Sequence, residues 1–192
     1  GEHLESLTAA RSHGGILVTP PGDTPNLKAK LDALPIVKMT FERVTTGAND
    51  TAIIGLPIDA TKLPRGYAVT AGGGMFSTDP SGIREIAEAG FTIEGPGYPI
   101  TVQRAIPAAA LVGEPWTVGA WGKDSNVMTT LGDVRGIPAV FVHRRPGVKT
   151  SELQQVWLAD GKYIIRVEGY VDEFNKLIAV ADAILSGQGR VK

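Results

Sequence analysis

The stretch from residue 153 to residue 187 constrains this chain more than any other. Leu153, Val156, Trp157 and Leu158 form an apolar-rich strand pattern, Ala159-Asp160-Gly161-Lys162 is a turn, and residues 163–169 form a second strand. Residues 171–186 then read as an amphipathic helix closed by Gly187. Its apolar residues Phe174, Leu177, Ile178, Ala181, Ile184 and Leu185 fall on one stripe at i, i+3, i+4, i+7, i+10 and i+11. A tight hairpin followed at once by a helix that folds back onto it is a self-contained α+β unit.

Upstream of that unit the pattern is rich in strands and turns. Residues 15–19 predict a short strand, stopped by Pro20-Pro21-Gly22. Thr24 before Pro25 is a helix N-cap with proline at the first helical position. Leu27, Leu31 and Leu34 recur at helical spacing until Pro35. Residues 36–46 alternate as a long strand, and residues 51–56 return as its hairpin partner. Gly72-Gly73-Gly74 reads as a flexible break, and Asp79-Pro80 opens a helix over Ile83, Ile86 and Ala87, closed by Gly90. Further strands are predicted over residues 98–105, 116–121, 127–131 and 137–143, with Pro138 marking an edge or a strand start.

About ten strand candidates stand against three or four helices, without regular alternation. That predicts an α+β fold: a mainly antiparallel sheet with the C-terminal helix packed on it. The high content of Gly (24) and Pro (13) agrees with many turns and short strands. A boundary near residue 57 separates an N-terminal segment, residues 1–57, helix plus hairpin, from an α+β domain over residues 58–192. The segment can belong to the same domain.

The charge pattern narrows the function classes. The formal net charge is -1 and no Lys/Arg run is longer than Arg144-Arg145, so the footprint of a nucleic-acid binder is missing. With no cysteine, a disulfide scaffold and a Cys-ligated metal are excluded. No run of 18 apolar residues exists to span a membrane as a helix. Gly1 has the character of a residue left by tag cleavage, so a signal or anchor segment is expected upstream.

Catalytic signatures are weak throughout. His3 and His13, with Glu2 or Glu5, match no metal-ligand spacing. Gly72-Gly73-Gly74 lacks the Gly-Lys-Ser/Thr ending of a phosphate loop. His143 ends an apolar strand with no serine in a nucleophile elbow to serve. Arg144-Arg145 with Lys149 is either a solvated loop or a holder of a carboxylate or phosphate. Carboxylate-only catalysis would need two of Glu42, Glu94, Glu114, Asp133 and Glu168 to converge in a cleft. Trp116 and Trp121 are five apart, on opposite faces of a strand, so one is expected in the core and the other exposed. Trp116, Trp121, His143, Arg144 and Arg145 are therefore the candidate ligand or partner surface. No catalytic, cofactor or metal residue is assigned.

The motif order also carries a resemblance. Leu63-Pro64-Arg65-Gly66-Tyr67 before a strand is followed by Ile100-Thr101-Val102-Gln103 and then by Gly136-Ile137-Pro138-Ala139-Val140. The order ends with Val156-Trp157 and the hairpin and helix through Leu185. It resembles a small domain of unknown function at the extracytoplasmic end of bacterial anti-sigma factors and lipoproteins, over residues 60–187. Residues 72–98 and 105–115 depart from that pattern as insertions. The resemblance implies a bacterial extracytoplasmic location, attachment to a membrane through a segment outside this chain, and a binding or sensing role without catalysis or cofactor. The expected partner is a protein or a small apolar ligand.

A rival resemblance lies in the N-terminal half. Leu31-Asp32-Ala33-Leu34-Pro35-Ile36-Val37 and Ile53-Ile54-Gly55-Leu56-Pro57-Ile58-Asp59 are similar to extracytoplasmic domains of ABC-type permeases of the macrolide-exporter kind. Ile36 stands there in place of the usual glycine. A periplasmic carrier of lipid or lipoprotein, with a large apolar cavity between sheet and helix, is the remaining alternative.

Overall fold

The computed structural model describes residues 11–22, 26–48 and 50–189. In chain order the elements are β1 (Arg11–His13), β2 (Ile16–Thr19), α1 (Leu27–Asp32), β3 (Thr40–Gly47), β4 (Ala68–Thr78), β5 (Arg84–Glu94) and β6 (Ile100–Ala105). These are followed by α2 (Ala108–Leu111), β7 (Trp116–Gly119), β8 (Val127–Val134), β9 (Ile137–Arg144), β10 (Gln154–Asp160), β11 (Tyr163–Gly169) and α3 (Asn175–Gly187). Eight strands form one antiparallel sheet in the order β3-β4-β5-β6-β11-β10-β9-β8. A second sheet, β1-β2-β7, has three strands, with β2 and β7 parallel.

The α+β architecture expected from the sequence is present: a mainly antiparallel sheet with the C-terminal helix on it. Side chains alternate across a strand, so each strand of the large sheet feeds two layers. One face presents Val156 and Leu158 of β10, Ile165 and Val167 of β11 and Val102 of β6 to α3. Leu177, Val180, Ala181, Ile184 and Leu185 of α3 are 0% exposed against them. Full burial of a leucine or isoleucine side chain is worth about 1.5–3 kcal/mol, so this stripe anchors the helix. The opposite parity, Val140, Trp157, Ala159 and Ile164, meets Ile16, Val18, Trp116 and Val118 of the small sheet and Ala109 of α2. Ile54 and Leu56 lie in the same core as α3, so residues on both sides of position 57 share one interior.

Several local expectations are corrected. The helix expected over 79–90 is strand β5, in which buried Ala89, Phe91 and Ile93 alternate with more exposed neighbours. Asp79 caps a hairpin turn instead of a helix: its Oδ1 accepts from the backbone N–H of Ser81 and of Ile83, both at 2.9 Å. Helix capping and this turn use the same side-chain-to-backbone bond, and pairing of β5 with both β4 and β6 selects the strand. Gly72-Gly73-Gly74 is not a break but the middle of β4, paired on both sides. A Cβ on Gly72 would lie 2.8 Å from the Gly90 carbonyl oxygen, so the strands approach too closely there for any side chain.

The strand expected at 51–56 is a short 3-10 turn, Thr51–Ile54, ended by Gly55 in the left-handed region at φ 69°. The strand expected from residue 36 begins at Thr40. Pro138 opens an inner strand: it faces Asp133 on β8, and pairing of β9 with β10 starts at Ala139, so its missing N–H removes no rung. For the helix expected over residues 1–12, positions 1–10 lie outside the described residues, as do the cap at Thr24 and the histidine at position 3. Arg11–His13 is a strand.

Candidate functional site: a tyrosine cleft at one end of the sheet

Three connections meet at one end of the large sheet: the β5–β6 loop, the β9–β10 loop and the passage from β11 into α3. They enclose a cleft of about 370 Å³. The first wall is Tyr67. Its backbone N–H donates to Pro64 O at 3.0 Å, closing a turn in which Gly66 has φ 83°, the left-handed value a type II turn requires at its third residue. The Tyr67 hydroxyl donates to Pro96 O at 3.2 Å. Its ring lies on Gly95, where a Cβ would come within 2.4 Å of it.

The second wall is a pair of rings. Tyr98 and Tyr170 stand 5.7 Å apart at an interplanar angle of 56°. They are 63% and 47% exposed, so their faces are free to meet a ligand. Phenolic rings pair a large apolar face with a polar tip, which suits a surface that is wet when empty.

The third wall is cationic and is held by Gln154. This side chain is 1% exposed. Its Oε1 accepts from the Arg144 backbone N–H at 3.0 Å, and its Nε2 donates to Val171 O at 2.8 Å. One residue thus fixes the end of β9 and the start of the α3 connection. The Arg144 guanidinium donates through Nη2 to Asp172 O. Lys149 lines the cleft, is exposed, and has no hydrogen bond or ion pair among the described residues. The Asp172 carboxylate is engaged by Lys176 Nζ at 2.5 Å and by the Glu173 N–H at 2.9 Å. The Lys176 contact, chiefly, holds Asp172 below the usual aspartate range and raises Lys176 above its own. Arg144 and Lys149 therefore set the local charge.

The sequence-predicted surface residues fall in three places. Arg144 lines the cleft. His143 beside it does not present a free nitrogen. Nδ1 lies 3.0 Å from Arg144 O, which can only accept, so Nδ1 carries a proton, and Nε2 is paired with the Thr130 hydroxyl at 3.1 Å. Its ring packs on Phe174. Arg145 turns away to hold the loop after β7, donating to Ser125 O at 2.5 Å and Gly122 O at 2.9 Å. Trp121, exposed, adjoins that loop. Trp116 is a correction: it is 6% exposed and packs on Trp157 with ring centroids 5.8 Å apart, so it belongs to the interior between the two sheets.

Tyr98, Tyr170 and Gln154 were not singled out by sequence, and Tyr67 was noted only as the last residue of the Leu63–Tyr67 motif. A signal for Gln154 existed: it shares the buried parity of Val156 and Leu158, and a polar residue in that row must be bonded on the inside.

The acids outside caps and turns do not gather in this cleft. Glu42 binds Arg84 at 2.8 Å, Glu114 pairs with Lys30, and Glu168 lies 3.2 Å from Arg166 Nε. Asp133 accepts from the Gly136 N–H at 3.0 Å, and Glu94 is exposed. No group of three His, Cys, Asp or Glu side chains with metal-binding placement occurs among the described residues. Ser151 lines the cleft, but no imidazole does. The arrangement offers stacking faces, hydroxyls and cations rather than a nucleophile with its base.

A second depression, of about 390 Å³, lies over the paired Gly73 and Gly90 on β4 and β5 and is flanked by Arg43, Glu88 and Gln103. It lacks aromatic faces. No family model, curated protein or solved structure matches the chain.

Proposed function

We propose that this chain is a non-enzymatic binding or sensing module that works outside the bacterial cytoplasm, attached to a membrane through a segment beyond the chain, and that it holds its ligand or partner in the tyrosine cleft. The observation that carries this reading is the exposed Tyr98–Tyr170 pair beside Arg144 and Lys149, in a cleft whose backbone is fixed by a buried glutamine. Ligand sites typically combine aromatic lining with a few placed polar groups. The extracytoplasmic location rests on the motif resemblance alone.

The carrier alternative needs an apolar cavity between sheet and helix. The five α3 residues that face the sheet are 0% exposed and packed against it, which favours the binding module. Amide shift mapping with a library of small soluble ligands tests the reading. Ligands should move the resonances of residues 67, 96–98, 149–151 and 170–172, and the double variant Tyr98→Ala/Tyr170→Ala should lose them while keeping its melting temperature. Turnover in a broad hydrolase screen, abolished by one substitution in the cleft, would overturn it.

A further inference from the structure

We infer that the tyrosine cleft takes a ring-shaped ligand carrying one anionic group, a carboxylate or a phosphate. The inference rests on the reading of this cleft as the binding site and specifies its ligand. The tilted Tyr98–Tyr170 pair offers a wedge of aromatic surface on which the face of a sugar or base ring can stack. A volume of about 370 Å³ suits a small molecule better than a folded partner. Lys149 supplies an ammonium with no partner among the described residues. Arg144 has one amino group tied to Asp172 O, and its other donors are not bonded to described residues. The one carboxylate lining the cleft, Asp172, is bound by Lys176, so it does not cancel these two cations.

An acidic sugar and a nucleoside monophosphate share this chemistry, and paired probes separate them. Galacturonate is titrated against galactose, and adenosine monophosphate against adenosine, with affinity read from amide shifts of the full chain. The anionic member of at least one pair should bind about tenfold more tightly, as expected when a hydrogen bond gains a full charge. The advantage should shrink as salt is raised. Lys149→Ala should remove most of the difference within the pair at an unchanged melting temperature.

A gain only in the sugar pair assigns a carboxylate ligand, a gain only in the nucleoside pair assigns a phosphate, and a gain in both assigns the anion alone. If neutral and anionic members bind the cleft equally, the anion inference is overturned and the cleft remains a binding site. If none of the four shifts a cleft residue, the binding-site reading falls and this inference with it.

Discussion

Gln154 holds together the backbone on which the cleft is built. With its side chain 1% exposed and bonded at both ends, it satisfies the Arg144 N–H and the Val171 carbonyl at once. Gln154→Ala leaves both groups without that partner in a dry place. The expected cost is about 1–3 kcal/mol, measured as a lower midpoint in urea unfolding, accompanied by weaker ligand binding. At this scale the site was only partly legible in the sequence. Arg144 could be named because adjacent arginines are conspicuous. Tyr98 and Tyr170 could not, because they lie 72 positions apart and meet only when β5–β6 and β11–α3 are folded to one end. Trp116 and Trp121 could be told apart as one buried and one exposed, but not which was which. That depends on the small sheet settling over Trp157.

Among the elements, α3 was the most legible, since its apolar stripe follows helical period and its partner hairpin precedes it directly. Leu177→Ala should cost about 2–5 kcal/mol, because the side chain is fully buried between helix and sheet. A denaturation midpoint equal to that of the parent would remove Leu177 from the core. Strand β5 was the least legible. Asp79-Pro80 and the run Ala87-Glu88-Ala89-Gly90 carry helix-compatible chemistry, and pairing with partners on both sides overrides it. The glycines of β4 and β5 misled for a related reason. In sequence they signal freedom, whereas a Cβ at Gly90 would stand 2.6 Å from the Val102 carbonyl oxygen. Their role is close approach, which only a neighbouring strand reveals.

For the whole molecule, acid is the expected weakness. Asp59, Asp79, Glu152 and Asp172 are all held below their ordinary values, 3.8 for the aspartates and 4.5 for the glutamate. The chief causes are hydrogen bonds from Thr61, Ser81, Thr150 and Lys176 respectively. A carboxylate with a depressed folded pKa stabilises the fold above its unfolded value, and that contribution is lost as pH falls through the folded one. Melting temperature should therefore hold steady through the neutral range and decline below those ordinary carboxylate values. Asp172 is exposed and Asp59, Asp79 and Glu152 are only half-buried, so each contribution is small, and a melting temperature unchanged down to about pH 3 would refute the assignment.

The strand order has a consequence in time. β6 ends at Ala105 and its neighbour β11 begins at Tyr163, yet β11 lies between β6 and β10 and is the seam of the large sheet. Until it arrives, β3–β6 and β8–β10 are two separate ribbons with no shared edge. Closing a seam between segments so far apart along the chain is entropically slow. The two ribbons can therefore join into one sheet only after β11 has been synthesised and has cleared the ribosome, about sixty residues after β6.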